Sequence, residues 1–172
     1  DAARAGDSLS LGIVVPLAFF CGLAYYYYNE YTALARSGLP WDTPDATPLT
    51  TPVFCSLAYL FGIKAGNIAM KRRSPLAVRN WMLVYNVYQS VLNAAMVYGL
   101  VKTALFDVAG GYWPVWGRRV NAAREGWELS FWLWVHYHNK FVEFFDTAFM
   151  VARKSTRQIT FLHVYHHVLL VW

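Results

Sequence analysis

Residues 131–151 read Phe131-Trp132-Leu133-Trp134-Val135-His136-Tyr137-His138-Asn139-Lys140-Phe141-Val142-Glu143-Phe144-Phe145-Asp146-Thr147-Ala148-Phe149-Met150-Val151. The length and apolar density of this stretch match the roughly 20 residues that carry a helix across the hydrocarbon core of a bilayer. Set into it are Lys140, Glu143, Asp146 and Thr147 at i, i+3, i+6 and i+7, a single helical stripe. His136 stands four residues before Lys140 on the same face, with Asn139 beside it. The plainest reading is a charge ladder, in which Lys140 and Glu143 neutralise each other so that the interior of a bundle tolerates them. That accounts for part of the pattern. It does not account for His136, Lys140, Glu143 and Asp146 together, because polar groups this costly at membrane depth line a cavity or a pathway.

Composition extends this reading outward. The chain is 57% apolar and 18% aromatic with only 15% charged residues, against about 25% charged in soluble domains. Its net charge of +5 does not indicate nucleic acid: the basic residues lie in short runs between apolar segments, and no nucleic-acid-binding motif is present. Cys21 and Cys55 both fall inside apolar segments and imply no disulfide framework. The first residue is Asp1 rather than Met, so a processed or trimmed N-terminus is expected. Residues 9–28 are too long for a signal-peptide core and end in four tyrosines, Tyr25 to Tyr28, so they read as a retained span.

The predicted fold class is all-α, a polytopic transmembrane helical bundle with about five spans. They are residues 9–28 (with a kink expected at Pro16), 52–70, 80–101, 131–151, and a fifth opening at Phe161. Residues 29–51 form a polar connection with Pro40, Pro44, Pro48, Asp42 and Asp45. A long connection at 102–130 holds Trp113, Trp116 and Trp127, candidate interfacial anchors. The expected organisation is therefore 1–51, a span with its proline-rich connection, and 52–172, a transmembrane domain. Segments 71–79 and 152–160 carry four and three basic residues and no acid. Both are expected on the cytoplasmic side, and they lie two spans apart, as sharing a side requires. The third span holds Asn86, Gln89, Ser90 and Asn93, which suggests one face turned to a bundle interior.

Near the end stands His163-Val164-Tyr165-His166-His167, three imidazoles at i, i+3 and i+4 on one helical face. Packing would suffice for one histidine and is a poor account of three. Metal ligation suits imidazole, and membrane di-metal oxidases use an HxxHH box, but they need further histidine boxes. Beyond this cluster the chain has only His136 and His138. The third reading is covalent catalysis, with one imidazole taking an acyl group from a thioester and its neighbours acting as general acid or base near neutral pH. A lysine near the cytoplasmic side would then pair with coenzyme phosphates, although Lys140 lies well inside its span.

Lys140-x-x-Glu143-x-x-Asp146-Thr147 followed by His163-x-x-His166-His167 resembles the paired signature of the ELO fatty-acid elongases. Arg79 ahead of Tyr85-Asn86-Val87-Tyr88-Gln89 is similar to that family's second-helix signature. The segments 134–140 and 161–170 look like those of polyunsaturated fatty acid elongases, particularly of microalgae. The resemblance covers roughly residues 50–172.

The resemblance implies the N-terminal part of a seven-helix membrane enzyme around a narrow acyl tunnel, in the endoplasmic reticulum, with a plastid membrane as the other location. The implied reaction is that of a 3-oxoacyl-CoA synthase: acyl-CoA condenses with malonyl-CoA, releasing carbon dioxide and CoA, with no cofactor and no metal. By position His166 is the implied nucleophile of an acyl-imidazole route, with His163 and His167 as acid/base or positioning partners. Lys140, Glu143 and Asp146 would shape the site, while His136, Asn139, Thr147, Asn86 and Gln89 would bind substrate. The family's later HxxMYxYY and TxxQxxQ motifs are expected beyond residue 172, and residues 9–28 are one span more than its usual N-terminal half. Partners implied are both CoA thioesters, membrane lipids, and other membrane subunits or a second copy, with no nucleic acid. Two other readings stand beside this one: an inactive elongase-derived subunit of a larger membrane complex, and the di-metal oxidase.

Overall fold

Pro52 sits in the first turn of a helix running from Thr50 to Met70, where the N–H it lacks would have no intrahelical partner anyway. The computed structural model describes residues 2–37, 50–105 and 127–172. Among the described residues the regular elements are all helical: α1 (Ala2–Ser37), α2 (Thr50–Met70), α3 (Arg79–Leu105), α4 (Trp127–Val142), α5 (Phe144–Ala152) and α6 (Phe161–Leu169), with a short 3-10 turn at Thr156–Gln158. Of these, α2 is long and apolar enough by itself to cross a membrane. Its outward side chains include Phe54, Leu57, Leu60, Phe61 and Ile68, a surface suited to hydrocarbon rather than water. The all-α membrane bundle read from the sequence is the architecture observed.

The helices depart from the expected spans in instructive ways. α1 continues nine residues past Tyr28 to Ser37, so part of the expected polar connection is helical. Ala33, Leu34, Ala35 and Arg36 are good helix formers, and no proline intervenes before Pro40. Pro16 lies buried inside α1 without ending it. The connection expected at 102–130 is shorter at both ends, because α3 takes in Lys102 to Leu105 and α4 begins at Trp127. The fourth span is two helices with Glu143 between them. The ladder there tightens without opening: Glu143 N–H still reaches Asn139 O at 2.9 Å, while Asp146 N–H bonds Glu143 O at 3.1 Å, one residue closer than the α pattern. Pro40, Asp42, Pro44, Asp45, Pro48, Trp113, Trp116 and the Trp127 side chain lie outside the described residues.

Packing divides the chain into two compact units, Asp1–Asp42 with Asn80–His136, and Thr43–Arg79 with Tyr137–Trp172. In the first, Tyr27, Met96, Phe131 and Val135 form a core flanked by Leu23, Tyr31, Leu92, Trp132 and Trp134. α3 and α4 meet at Gly99, where a Cβ would overlap the Trp132 indole. At the Ser37 end of α1, Tyr31 Oη donates to Glu128 at 3.0 Å, and Lys102 pairs with the same carboxylate at 3.4 Å.

In the second unit α2 packs on α5, and Gly66 permits the approach: a Cβ there would fall 2.9 Å from Val151 Cγ1. The two basic segments meet at one end of this unit. Leu76 N–H bonds Ala152 O at 2.9 Å, and Lys154 Nζ reaches Lys71 O at 3.5 Å. They share a side of the unit, as their spacing in the sequence requires. α5 ends in a Schellman arrangement, with Ser155 N–H on Met150 O, Lys154 N–H on Val151 O, and Lys154 at φ 58°. The 3-10 turn follows, and Thr160, in extended backbone, opens α6 by accepting His163 N–H on its hydroxyl at 3.2 Å.

Candidate functional site

The cap at Thr160 fixes the register of α6, and that register sorts the three imidazoles by environment. His167 is buried, His163 is partly buried, and His166 is exposed. The rings of His163 and His167 lie edge-to-face with centroids 4.6 Å apart, and His166 stands 5.9 Å from His167. One helical face therefore carries all three, as the spacing predicts, but with graded access.

His163 is held from α5. Its Nε2 lies 2.8 Å from Thr147 Oγ1, and Thr147 Oγ1 lies 2.7 Å from Tyr59 Oη on α2. Thr147 is 1% exposed and Tyr59 is 7% exposed, so both hydroxyls work out of reach of bulk solvent and their geometry counts. The Tyr59 ring stacks on Phe144 at 4.3 Å, and both rings flank His167 at about 6 Å. α2, α5 and α6 thus enclose His163 and His167 with aromatic walls and one line of hydroxyls.

The charged stripe lies on the same unit. Lys140 Nζ is 2.8 Å from Glu143 Oε1, and Asn139 Nδ2 donates to that oxygen at 3.3 Å. Asn139 is fully buried, and its Oδ1 has no hydrogen-bond partner among the described residues. The Lys140 and Glu143 charges are both close enough to act on His167, which ties the stripe to the histidine box. The charge-ladder reading therefore holds for this pair. Asp146 is half-buried on α5 next to Thr147.

His136, Asn86 and Gln89 belong to the first unit. There Gln89 Nε2 donates to Tyr85 Oη at 3.2 Å, Asn93 Nδ2 donates to Gln89 O at 2.7 Å, and the Asn86 carbonyl accepts from Ser90. Asn86 and His136 are exposed. Among the described residues no group of three or more His, Cys, Asp and Glu side chains is arranged to hold a metal ion.

Sequence reasoning missed Tyr59, Phe144 and Thr160. Tyr59 is one aromatic in an apolar span, and nothing local marks its hydroxyl as directed at a residue 88 positions away. Thr160 had a signal: a threonine three residues before His163, at the start of an apolar run, is a helix-start pattern. A cavity of about 590 Å³ runs along α2 beside this site, lined by Tyr59, Gly62, Gly66, Phe144, Thr147 and Val151 among others.

The chain matches the ELO: GNS1/SUR4 family over residues 45–172. It is 42% identical over 113 residues to very long chain fatty acid elongase 2 of Mus musculus, covering 65% of this chain and 37% of that protein. It is 37% identical over 124 residues to very long chain fatty acid elongase 5 of Rattus norvegicus, covering 70% and 40%. To fatty acid elongase 4 of Trypanosoma brucei brucei it is 34% identical over 121 residues, covering 67% and 43%. The matched stretch thus spans about two fifths of the length of these relatives.

Proposed function

Because the chain belongs to the ELO (GNS1/SUR4) family, we propose that it carries the reacting half of a fatty-acid elongase, joining a long-chain, polyunsaturated acyl-CoA to malonyl-CoA in the endoplasmic reticulum membrane. The observation that carries this reading is the histidine box itself: two imidazoles packed against the Tyr59 and Thr147 hydroxyls and the Phe144 ring, and a third, His166, open beside them.

In the proposed reaction His166 attacks the thioester carbonyl carbon. The C–S bond breaks, CoA leaves as a thiolate that takes up a proton, and an acyl-imidazole forms, so that one difficult substitution becomes two easier ones. Malonyl-CoA then loses carbon dioxide. The electron pair of the broken C–C bond attacks the acyl carbon, the C–N bond breaks with its electron pair on the ring nitrogen, and 3-oxoacyl-CoA leaves while that imidazolate takes up a proton and restores the neutral His166. In this reading His167, whose ring lies 5.9 Å from that of His166, and His163, 4.6 Å from His167, exchange protons with His166 and the leaving thiolate. The Lys140–Glu143 pair sets the field around them. Other membrane subunits or a second copy of the chain are the proposed partners.

The test is His166→Ala in the protein expressed at its full natural length. Expected are loss of malonyl-CoA-dependent elongation and loss of the acyl adduct seen by intact mass. Turnover that survives the substitution would refute the assignment.

A further inference from the structure

We propose that Tyr59, a residue of α2 outside both sequence motifs, is a positioning residue for the histidine box: through Thr147 it holds His163 in the neutral tautomer whose ring proton sits on Nδ1. Three atoms form a line, Tyr59 Oη, Thr147 Oγ1 and His163 Nε2, at 2.7 and 2.8 Å. Each hydroxyl owns one proton, so the line runs in one of two directions.

In the first direction Tyr59 donates to Thr147, and Thr147 donates to the Nε2 lone pair of His163. Every hydroxyl proton is then used. In the second, His163 Nε2–H donates to Thr147, and Thr147 donates to Tyr59. The Tyr59 proton is then left buried, with no acceptor among the described residues other than the threonine that is already donating to it. A buried donor without a partner forfeits its hydration for nothing, whereas an unused acceptor lone pair costs far less. The first direction wins. His163 therefore accepts at Nε2 and carries its proton on Nδ1, and a neutral imidazole in that state presents a fixed N–H donor at its other nitrogen.

The geometry also explains why the anchor is a tyrosine. Its ring stacks on Phe144 and flanks His167, so one side chain orients the packing of one imidazole and the tautomer of another. A phenylalanine at 59 keeps the first function and loses the second. Thr147, 1% exposed, then has no donor above it, and its hydroxyl is free to accept from His163 instead.

The catalytic consequence rests on the histidine box being the reacting centre, as proposed above; the tautomer does not. The experiment therefore reads both, on the full-length protein labelled with 15N-histidine in detergent micelles. Wild type and Thr147→Ser are expected to show His163 with Nδ1 protonated. Tyr59→Phe and Thr147→Val are expected to show a mixture or the opposite tautomer. In malonyl-CoA-dependent elongation Tyr59→Phe is expected to lower kcat roughly five- to tenfold, the scale of one net hydrogen bond, with KM unchanged; the wild-type tautomer kept in Thr147→Ser and lost in Thr147→Val separates a role for the hydroxyl from one for the fold. An unchanged tautomer in Tyr59→Phe overturns the inference whatever the activity. A tautomer that shifts in Tyr59→Phe, with a wild-type protein that does not elongate, leaves the relay standing and overturns the proposed reaction.

Discussion

Lys140 Nζ lies 2.8 Å from Glu143 Oε1, three residues on, with both side chains largely withdrawn from solvent. Asn139 Nδ2 donates to the same oxygen at 3.3 Å, so this carboxylate serves two donors from the preceding turn. Removing one member of such a pair strands the other charge. Glu143→Ala should therefore destabilise by about 3 kcal/mol, whereas the double replacement Lys140→Met with Glu143→Leu should come close to wild-type stability. Thermal unfolding in micelles checks this. A single variant as stable as the double one would show that the pair does not hold this part of the unit.

Gly99 is where α3 gives way to the Trp132 indole, since a Cβ at that position would overlap the ring. The indole belongs to the packing around Tyr27, Met96, Phe131 and Val135, and it has nowhere to go without opening that core. Gly99→Ala should cost about 2–3 kcal/mol, the scale of overpacking a filled site. Adding Trp132→Leu should recover part of it, because the clash is with the ring and not the backbone. A Gly99→Ala variant with an unchanged melting temperature would contradict the close approach.

The histidine spacing, the Lys140–Glu143 pairing and the meeting of the two basic segments were all legible in the chain, because each follows from helical periodicity or from counting crossings. Tyr59 was not, and the reason is physical. A hydroxyl in an apolar span announces no partner, and its partner is set by how α2 leans on α5, which depends on Gly66 and Val151 rather than on anything near position 59. The extension of α1 to Ser37 was hidden for another reason: its polar residues, Asn29, Glu30, Thr32 and Arg36, look like a loop by hydropathy but are held in the helix by the propensity of their neighbours. The division of the histidines into buried, partly buried and exposed lay in α6's exact register, which the Thr160 cap sets and periodicity alone leaves open.

Lys154 adopts φ 58°, at the position after the α5 cap where glycine is the usual occupant. A side chain in this left-handed region costs roughly 1–2 kcal/mol, and the compensating contact, Lys154 Nζ to Lys71 O at 3.5 Å, is long and exposed. Lys154→Gly should therefore raise stability by about 1 kcal/mol, read as a higher melting temperature. Lys154→Ala should give no such gain, because it keeps the Cβ. Equal effects from the two variants would rule out backbone strain as the cause.

The junction of the two basic segments makes a prediction about sidedness. Leu76 N–H bonds Ala152 O and Lys154 Nζ reaches Lys71 O, joining the segment that carries Lys71, Arg72 and Arg73 to the one that carries Arg153, Lys154 and Arg157. Basic residues beside the ends of membrane spans stay on the cytoplasmic side, and two segments in backbone contact cannot face opposite compartments. Single cysteines at Arg72→Cys and Arg157→Cys, both exposed positions, in a background carrying Cys21→Ser and Cys55→Ser, should label with a membrane-impermeant maleimide on sealed microsomes whose cytoplasmic face points outward. Asp45→Cys, in the acidic connection, should label only after detergent opens the vesicles. Labelling of position 72 without position 157, or the reverse, would break the shared side that the Leu76–Ala152 bond requires.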